Sequence, residues 1–235
     1  MKQIFKPQTE WIPPESFPDL SKYNEIAIDL ETKDPELKTM GSGSVTSKGH
    51  IVGIAVAVHD WAGYYPIRHE GGGNMDKFMV IKWFQDVLNT EATKIFHNAM
   101  YDVCFIRAAG LKINGMIVDT MIAGSLVDEN RFRYDLGSMG RDYLGIGKNE
   151  AVLKETADLW GVDAKSEMYK LPAMYVGEYA EQDAELTLKL WQEMKKQMYH
   201  EDVEDIFKLE TELFPCLVDM RFLGVRVDTE AAYED

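Results

Sequence analysis

Along the chain the apolar positions change period several times, and each change marks an element. Residues 23–31 close on Ile26-Ala27-Ile28-Asp29-Leu30-Glu31, an apolar run that predicts a buried strand ending in two acids. Residues 50–58 and 62–67 carry similar runs joined by a short turn near Asp60, so three strands in succession predict an antiparallel meander. The polar stretch from Thr32 to Gly49, with Gly-Ser-Gly-Ser at 41–44, reads as a loop beside the two acids.

Helical spacing then takes over. Phe78, Ile81, Phe84, Val87 and Leu88 predict a helix over 75–89, with Asn74 as its cap. A short strand at 93–97 leads into a helix from Asn98 to Ala109 that ends at Gly110. A strand near 116–118 feeds a helix over 120–127. Short helices are expected at 135–144 and 150–158, and a long one over 173–199. The expected fold class is α/β: a mixed sheet, antiparallel meander plus parallel strands, flanked by helices. Before it, Pro7, Pro13, Pro14 and Pro18 with Trp11 and Phe17 make residues 1–22 an extended N-terminal arm. After it, apolar residues at 203, 206, 207, 210, 213, 214, 217 and 220 give a further helix up to Gly224, and 225–228 read as a strand or turn.

Composition narrows the class. A net charge of −15 argues against a broad basic surface for nucleic acid, although bound metal ions would supply local positive charge. Cys104 and Cys216 both stand in apolar surroundings, which predicts free thiols and a reducing compartment. No apolar run reaches the ~18 residues of a membrane span, and no signal peptide is evident, so the expectation is a soluble, cytoplasmic protein.

Three acidic stretches carry the chemistry. Asp29 and Glu31 share one face of their strand, and like charges that close call for a cation or a proton between them, unless one is simply solvated at the strand end. Hard divalent ions suit such oxygen ligands. Asn98 and Asp102 lie four apart at a helix start; alone, they also read as a cap and a first-turn acid. Tyr179 and Asp183 share the core side of the long helix, or else belong to its acidic stripe with Glu178, Glu181 and Glu185.

In this order and spacing the set resembles the 3′–5′ proofreading exonucleases of the DEDD superfamily, in the subgroup with a tyrosine in the last motif. The runs Asp29-Leu-Glu-Thr-Lys-Asp-Pro, Gly49-His-Ile-Val-Gly-Ile-Ala-Val-Ala and Val118-Asp-Thr-Met are similar to the exonuclease domain of family A DNA polymerases, especially those of bacteriophages. The resemblance covers residues 23–200, and residues 201–235 are similar to the truncated start of a polymerase domain. It implies a ribonuclease H-like fold and a DNA 3′ end as substrate, cut to nucleoside 5′-monophosphates. It also implies two divalent metal ions, Mg²⁺ or Mn²⁺, held by Asp29, Glu31, Asp102 and Asp183. Asp29 would bridge both ions, and Tyr179 would orient the attacking water.

Asn98 and Leu37 are implied as substrate contacts. Tyr101, Phe132 and Tyr134 are candidates to stack on bases or to pack in the core, and Arg131, Arg133, Arg141 and Lys148 to meet phosphates or solvent. A C-terminal polymerase domain is the implied partner, and the fragment itself is expected to be monomeric, in the host cytoplasm if phage-encoded. Two other readings stay open: a stand-alone ribonuclease D-like exoribonuclease, and an inactive structural module of a polymerase.

Overall fold

The computed structural model describes residues 8–234. Its strands are β1 (Glu25–Lys33), β2 (His50–Val58), β3 (Trp61–Pro66), β4 (Thr93–Phe96) and β5 (Ile117–Asp119). Its helices are α1 (Leu37–Met40), α2 (Gly43–Thr46), α3 (Lys77–Leu88), α4 (Ala99–Ala108), α5 (Thr120–Val127), α6 (Leu136–Met139), α7 (Ala151–Trp160), α8 (Gly177–His200), α9 (Glu204–Leu223) and α10 (Thr229–Glu234). The sheet runs β3-β2-β1-β4-β5. Strand β1 pairs antiparallel with β2, which pairs antiparallel with β3, while β4 and β5 join in parallel. The fold is therefore the expected mixed α/β sheet.

Side-chain size along β1 assigns the two faces. Ile26, Ile28 and Leu30 point into one apolar cluster with Val80, Phe84 and Leu88 of α3 and Val103 and Phe105 of α4. Ala27 points the other way, with Ala55 and Ala57 of β2, toward Ala180, Ala184 and Leu190 of α8. Small residues there let the long helix lie close on the sheet. Helix α8 is held at both ends. Near its start the Trp11 indole lies flat on Gly177, where an added Cβ would come within 2.0 Å of it. Farther along, Glu25 accepts from Trp191 Nε1 (3.0 Å) and Gln192 Nε2 (2.6 Å) and pairs with Lys195 (2.7 Å). Phe17 stacks on Tyr65, its ring centroid 5.5 Å away. Residues 1–7 of the expected arm, Pro7 among them, lie outside the described residues.

Several expected boundaries move, each for a local reason. Strand β1 continues through Lys33, past the acids, with a register shift at Glu31/Thr32. The loop after it contains α1 and α2, pinned where Asp34 accepts the Gly43 N–H at 3.0 Å. Asp76, not Asn74, caps α3 by accepting from Met79 N–H (2.9 Å). Asn74 instead brackets His69 by both its backbone groups. The 135–144 segment is α6 followed by a π-helical turn at Gly140–Leu144. Helix α8 starts four residues late because Ala173–Tyr175 forms a separate 3₁₀ turn. Residues 225–228 form no strand, and Cys216 is exposed rather than set among apolar neighbours. On α9, Phe207, Phe214 and Val218 face the protein, whereas Ile206, Leu209, Leu213, Met220 and Leu223 are exposed.

His69 ties the sheet to the turns that precede α8. Its Nδ1 meets the Leu171 carbonyl (3.0 Å), which can only accept, so Nδ1 carries the proton and Nε2 accepts from the Tyr64 hydroxyl (2.6 Å). Burial pushes the His69 imidazole down to about 4. The unfolded chain then binds more protons between the usual value near ~6.5 and 4, so this contribution is complete above pH ~6.5 and lost as pH falls through 4. We expect the stability difference between wild type and His69→Gln to shrink by up to about 3 kcal/mol from pH 7 to 4, at ~1.4 kcal/mol per pKa unit. Urea titrations at both pH values would show it, and parallel pH slopes in the two proteins would refute it.

Candidate active site

The first two acids continue the Ala27 row of β1, on the face covered by α8. Strand β4 pairs only with Glu25–Ala27, so the β1 edge beyond Ala27 is open. There the Leu30 N–H, left without a strand partner on that side, donates to Asp102 Oδ1 (3.1 Å). That is the crevice beyond the carboxyl ends of the parallel strands, where α/β sheets bind ligands.

Asp102 stands in the first turn of α4, and a residue the sequence reading left without a role sets that turn. Asp119 accepts from the N–H groups of Asn98 (2.9 Å) and Ala99 (2.8 Å), and also from Met121 N–H (2.8 Å) at the start of α5. One carboxylate thus caps two helix starts at once. An Asp between a strand and a helix is a legible cap signal, but the α4 half of its work joins segments twenty residues apart. Asn98 adopts a left-handed backbone (φ 64°) and makes no side-chain cap. Beside it, His97 Nδ1 meets Thr120 Oγ1 (2.8 Å), whose proton goes to the Phe96 carbonyl. Nδ1 therefore donates, and Nε2 is left buried without a partner among the described residues.

From α8 come Tyr179 and Asp183, one turn apart. Asp183 is 4% exposed, and its Oδ2 pairs with Lys148 Nζ at 2.6 Å. Lys148 also lies 3.5 Å from the Tyr179 hydroxyl and over its ring. Asp183 Oδ1 is buried without a hydrogen-bond partner among the described residues.

The electrostatics follow from four acids facing one ammonium group. Burial, and then the Asp183 charge, push Asp29 up to about 7. Burial followed by the Asp29 charge raises Glu31 and Asp102 well above the carboxylate range. Asp183 is raised by burial against the opposing pull of Lys148. Burial and Asp183 drive the Tyr179 phenol upward, so it stays protonated at neutral pH. Among the described residues no three His, Cys, Asp or Glu side chains stand ready-placed around a metal ion. The donor chemistry nonetheless fits hard divalent cations: acid oxygens only, one of them orphaned, and a net deficit of positive charge.

A cleft of about 530 Å³ is lined by Asp29, His97, Asn98, Tyr101, Asp102, Tyr134, Asp135, Lys148 and Asp183. Glu31 and Tyr179 are outside that lining. Leu37 lies instead in an adjoining groove of about 380 Å³ with Met40, Val45 and Arg221, which meets the cleft at Tyr101. Tyr101 is held by Thr32 Oγ1 (2.7 Å) and Asp34 Oδ2 (3.2 Å). Lys148 lies inside the site instead of on a phosphate-facing surface. Arg131 pairs with Asp142 (2.6 Å), and Phe132, a candidate either to stack on bases or to pack in the core, is fully exposed.

A mixed sheet with this strand order and acids at its crevice defines a ribonuclease H-like exonuclease fold. Residues 6–199 match the 3′–5′ exonuclease family of A-type DNA polymerases, and the chain belongs to that family. It is 33% identical over 234 residues to a DNA-directed DNA polymerase of Pseudomonas phage M6, covering 94% of this chain and 34% of the relative. It is also 28% identical over 185 residues to DNA polymerase I of Chloroflexus aurantiacus, covering 77% of this chain and 19% of that one. The chain thus spans about a third of the length of the phage relatives it matches. In fold it is similar to Brucella melitensis NrnC with bound Mg²⁺ (TM-score 0.62, 17% identity, 88% and 89% of the two chains). It is similar as well to Escherichia coli RNase D (TM-score 0.57, 17% identity, 92% and 49%).

Proposed function

We propose that this chain removes nucleoside 5′-monophosphates from DNA 3′ ends as the proofreading part of a family A DNA polymerase. One observation carries the reading: Asp29, Asp102 and Asp183 line one cleft from three separate elements, Glu31 follows on the same face of β1 and feels the Asp29 and Asp183 charges, and Lys148 is the one cation at these acids among the described residues. Two divalent ions, Mg²⁺ or Mn²⁺, would be held by those four acids. Bound there, the ions would supply the positive charge that activates water and stabilises the leaving 3′ oxygen. In this reading Asp29, which feels the Asp183 charge and lies beside Glu31 and Asp102, would help to hold the ions. Asp102 is aimed by the Leu30 N–H and by the Asp119 cap. The protonated Tyr179 phenol donates a hydrogen bond that orients the attacking water. Asn98 and Leu37 serve as substrate contacts, the first at the cleft and the second in the groove beside it.

Residues 1–22 are then an arm, 23–200 the nuclease and 201–235 the start of a polymerase domain. The threefold length of the phage relatives and the exposed apolar row of α9 support that division. RNase D, an exoribonuclease, shares the fold, but the sequence relatives are polymerases.

The test is shortening of a 5′-labelled single strand from its 3′ end, as DNA and as RNA. Mg²⁺-dependent shortening of DNA, abolished by EDTA, is the expected result. Preference for RNA, or cleavage that survives EDTA, would overturn the assignment.

A further inference from the structure

The loop between α5 and α6 displays Phe132 at 104% of reference exposure, the highest value for a large apolar residue among the described residues. Nothing in the folding of the chain requires that placement. The loop adjoins the carboxylate cleft, since Tyr134, Asp135 and Leu136 line it and the Phe132 Cα lies within ~8 Å of the Tyr134 Cα.

The loop is braced. The Tyr134 hydroxyl donates to the Asp128 carbonyl (2.7 Å), and the Asn130 N–H donates to Asp128 Oδ1 (3.1 Å). Arg131 is committed to Asp142 (2.6 Å) and to the Tyr143 ring, its guanidinium carbon 5.1 Å from the centroid. Arg133, next to Phe132, is exposed and makes no ion pair among the described residues. A fixed loop thus presents one bare aromatic face and one uncommitted guanidinium side by side, in a chain whose net charge of −15 otherwise repels nucleic acid. Aromatic stacking with a neighbouring cation is how proteins hold single strands without reading sequence.

We propose that Phe132 and Arg133 form a single-strand clamp, in which the ring stacks on an unpaired base of the DNA whose 3′ end occupies the cleft and the guanidinium meets its phosphate backbone. The inference rests on the nuclease reading above and adds the residues that grip the strand.

Binding of a 5′-fluorescein oligothymidine is measured by anisotropy in Mg²⁺ on the cleavage-blocked Asp29→Asn background. Phe132→Ala is expected to weaken binding roughly 5- to 100-fold, the scale of one stacked base. Phe132→Trp should restore it, and melting temperatures should not move. Arg133→Ala should also weaken binding and flatten the dependence of log Kd on log salt by about 0.7. Affinity within twofold of the parent for Phe132→Ala, as expected if the ring covers a protein partner instead, would overturn the clamp. So would Phe132→Trp as weak as the alanine variant, or no measurable binding by the parent. Failure of the nuclease reading looks different: no metal-dependent cleavage by the wild-type chain, whatever the clamp variants bind.

Discussion

Asp29→Asn is expected to cut metal-dependent removal of 3′ nucleotides by about a hundred- to a thousandfold, the scale for losing one preorganised charge-stabilising group. The same change should stabilise the metal-free protein. The Asp29 carboxylate accepts no hydrogen bond among the described residues, and burial with the Asp183 charge holds it up to about 7. Above that pH the native state carries a charge it disfavours, and the penalty fades as pH falls from 7 toward the ordinary carboxylate value near ~4. In EDTA at pH 8 the variant should therefore melt several degrees above wild type, at about 2–4 °C per kcal/mol for a domain this size. At pH 5 the gap should narrow. Mg²⁺ should raise the wild-type melting temperature more than that of the variant. A variant that loses activity and stability together would point to misfolding, and one that stays active would remove Asp29 from the chemistry.

Lys148→Met addresses the opposite charge. Among the described residues the ammonium group is the one cation at the carboxylates, and it sits on Asp183 with a side-chain exposure of 15%. Deleting one partner of a buried pair costs about 3–5 kcal/mol when the other is left charged. Here Asp183 can take up a proton, since burial already raises it, so the expected loss in EDTA lies at the lower end of that range. Divalent affinity should move the other way. A metal ion bound at Asp183 would compete with the Lys148 amine for the charge of one carboxylate, so removing that competitor should tighten Mg²⁺ or Mn²⁺ binding about tenfold, a coupling of ~1.4 kcal/mol. Calorimetry on the two proteins reads this without any turnover. Weaker metal binding in Lys148→Met would mean that the lysine supports the ions instead of standing in for them.

What the sequence disclosed was local and periodic. Alternation in β1 placed Asp29 and Glu31 on one face, and the same spacing rule on α4 and α8 paired Asn98 with Asp102 and Tyr179 with Asp183. What it concealed depends on contacts between distant segments. Nothing near Lys148 in the chain announces that it will meet Asp183, and Asp119 reads as an ordinary cap until β4 and β5 lie side by side. The exposure of Phe132 was equally hidden: an aromatic residue carries the same local signal whether it enters a core or leaves it, and only the braced loop decides. Asn74 and Asp76 are both good caps by type, and the His69 backbone drew one of them away.

The double anchorage of α8 bears on which length changes the chain can accept. Between the Trp11 indole at Gly177, itself packed against Tyr64 of β3, and the Glu25 cluster at Trp191 the helix is fastened at two points. Deleting one residue between Ala184 and Leu190 would shift one end by ~1.5 Å and turn it by about 100°. Either Asp183 or Trp191 would then miss its mark. The interval between the two fastenings should resist insertion and deletion, whereas the exposed turn around Asp163, tied mainly to itself, is where added residues should pass unnoticed.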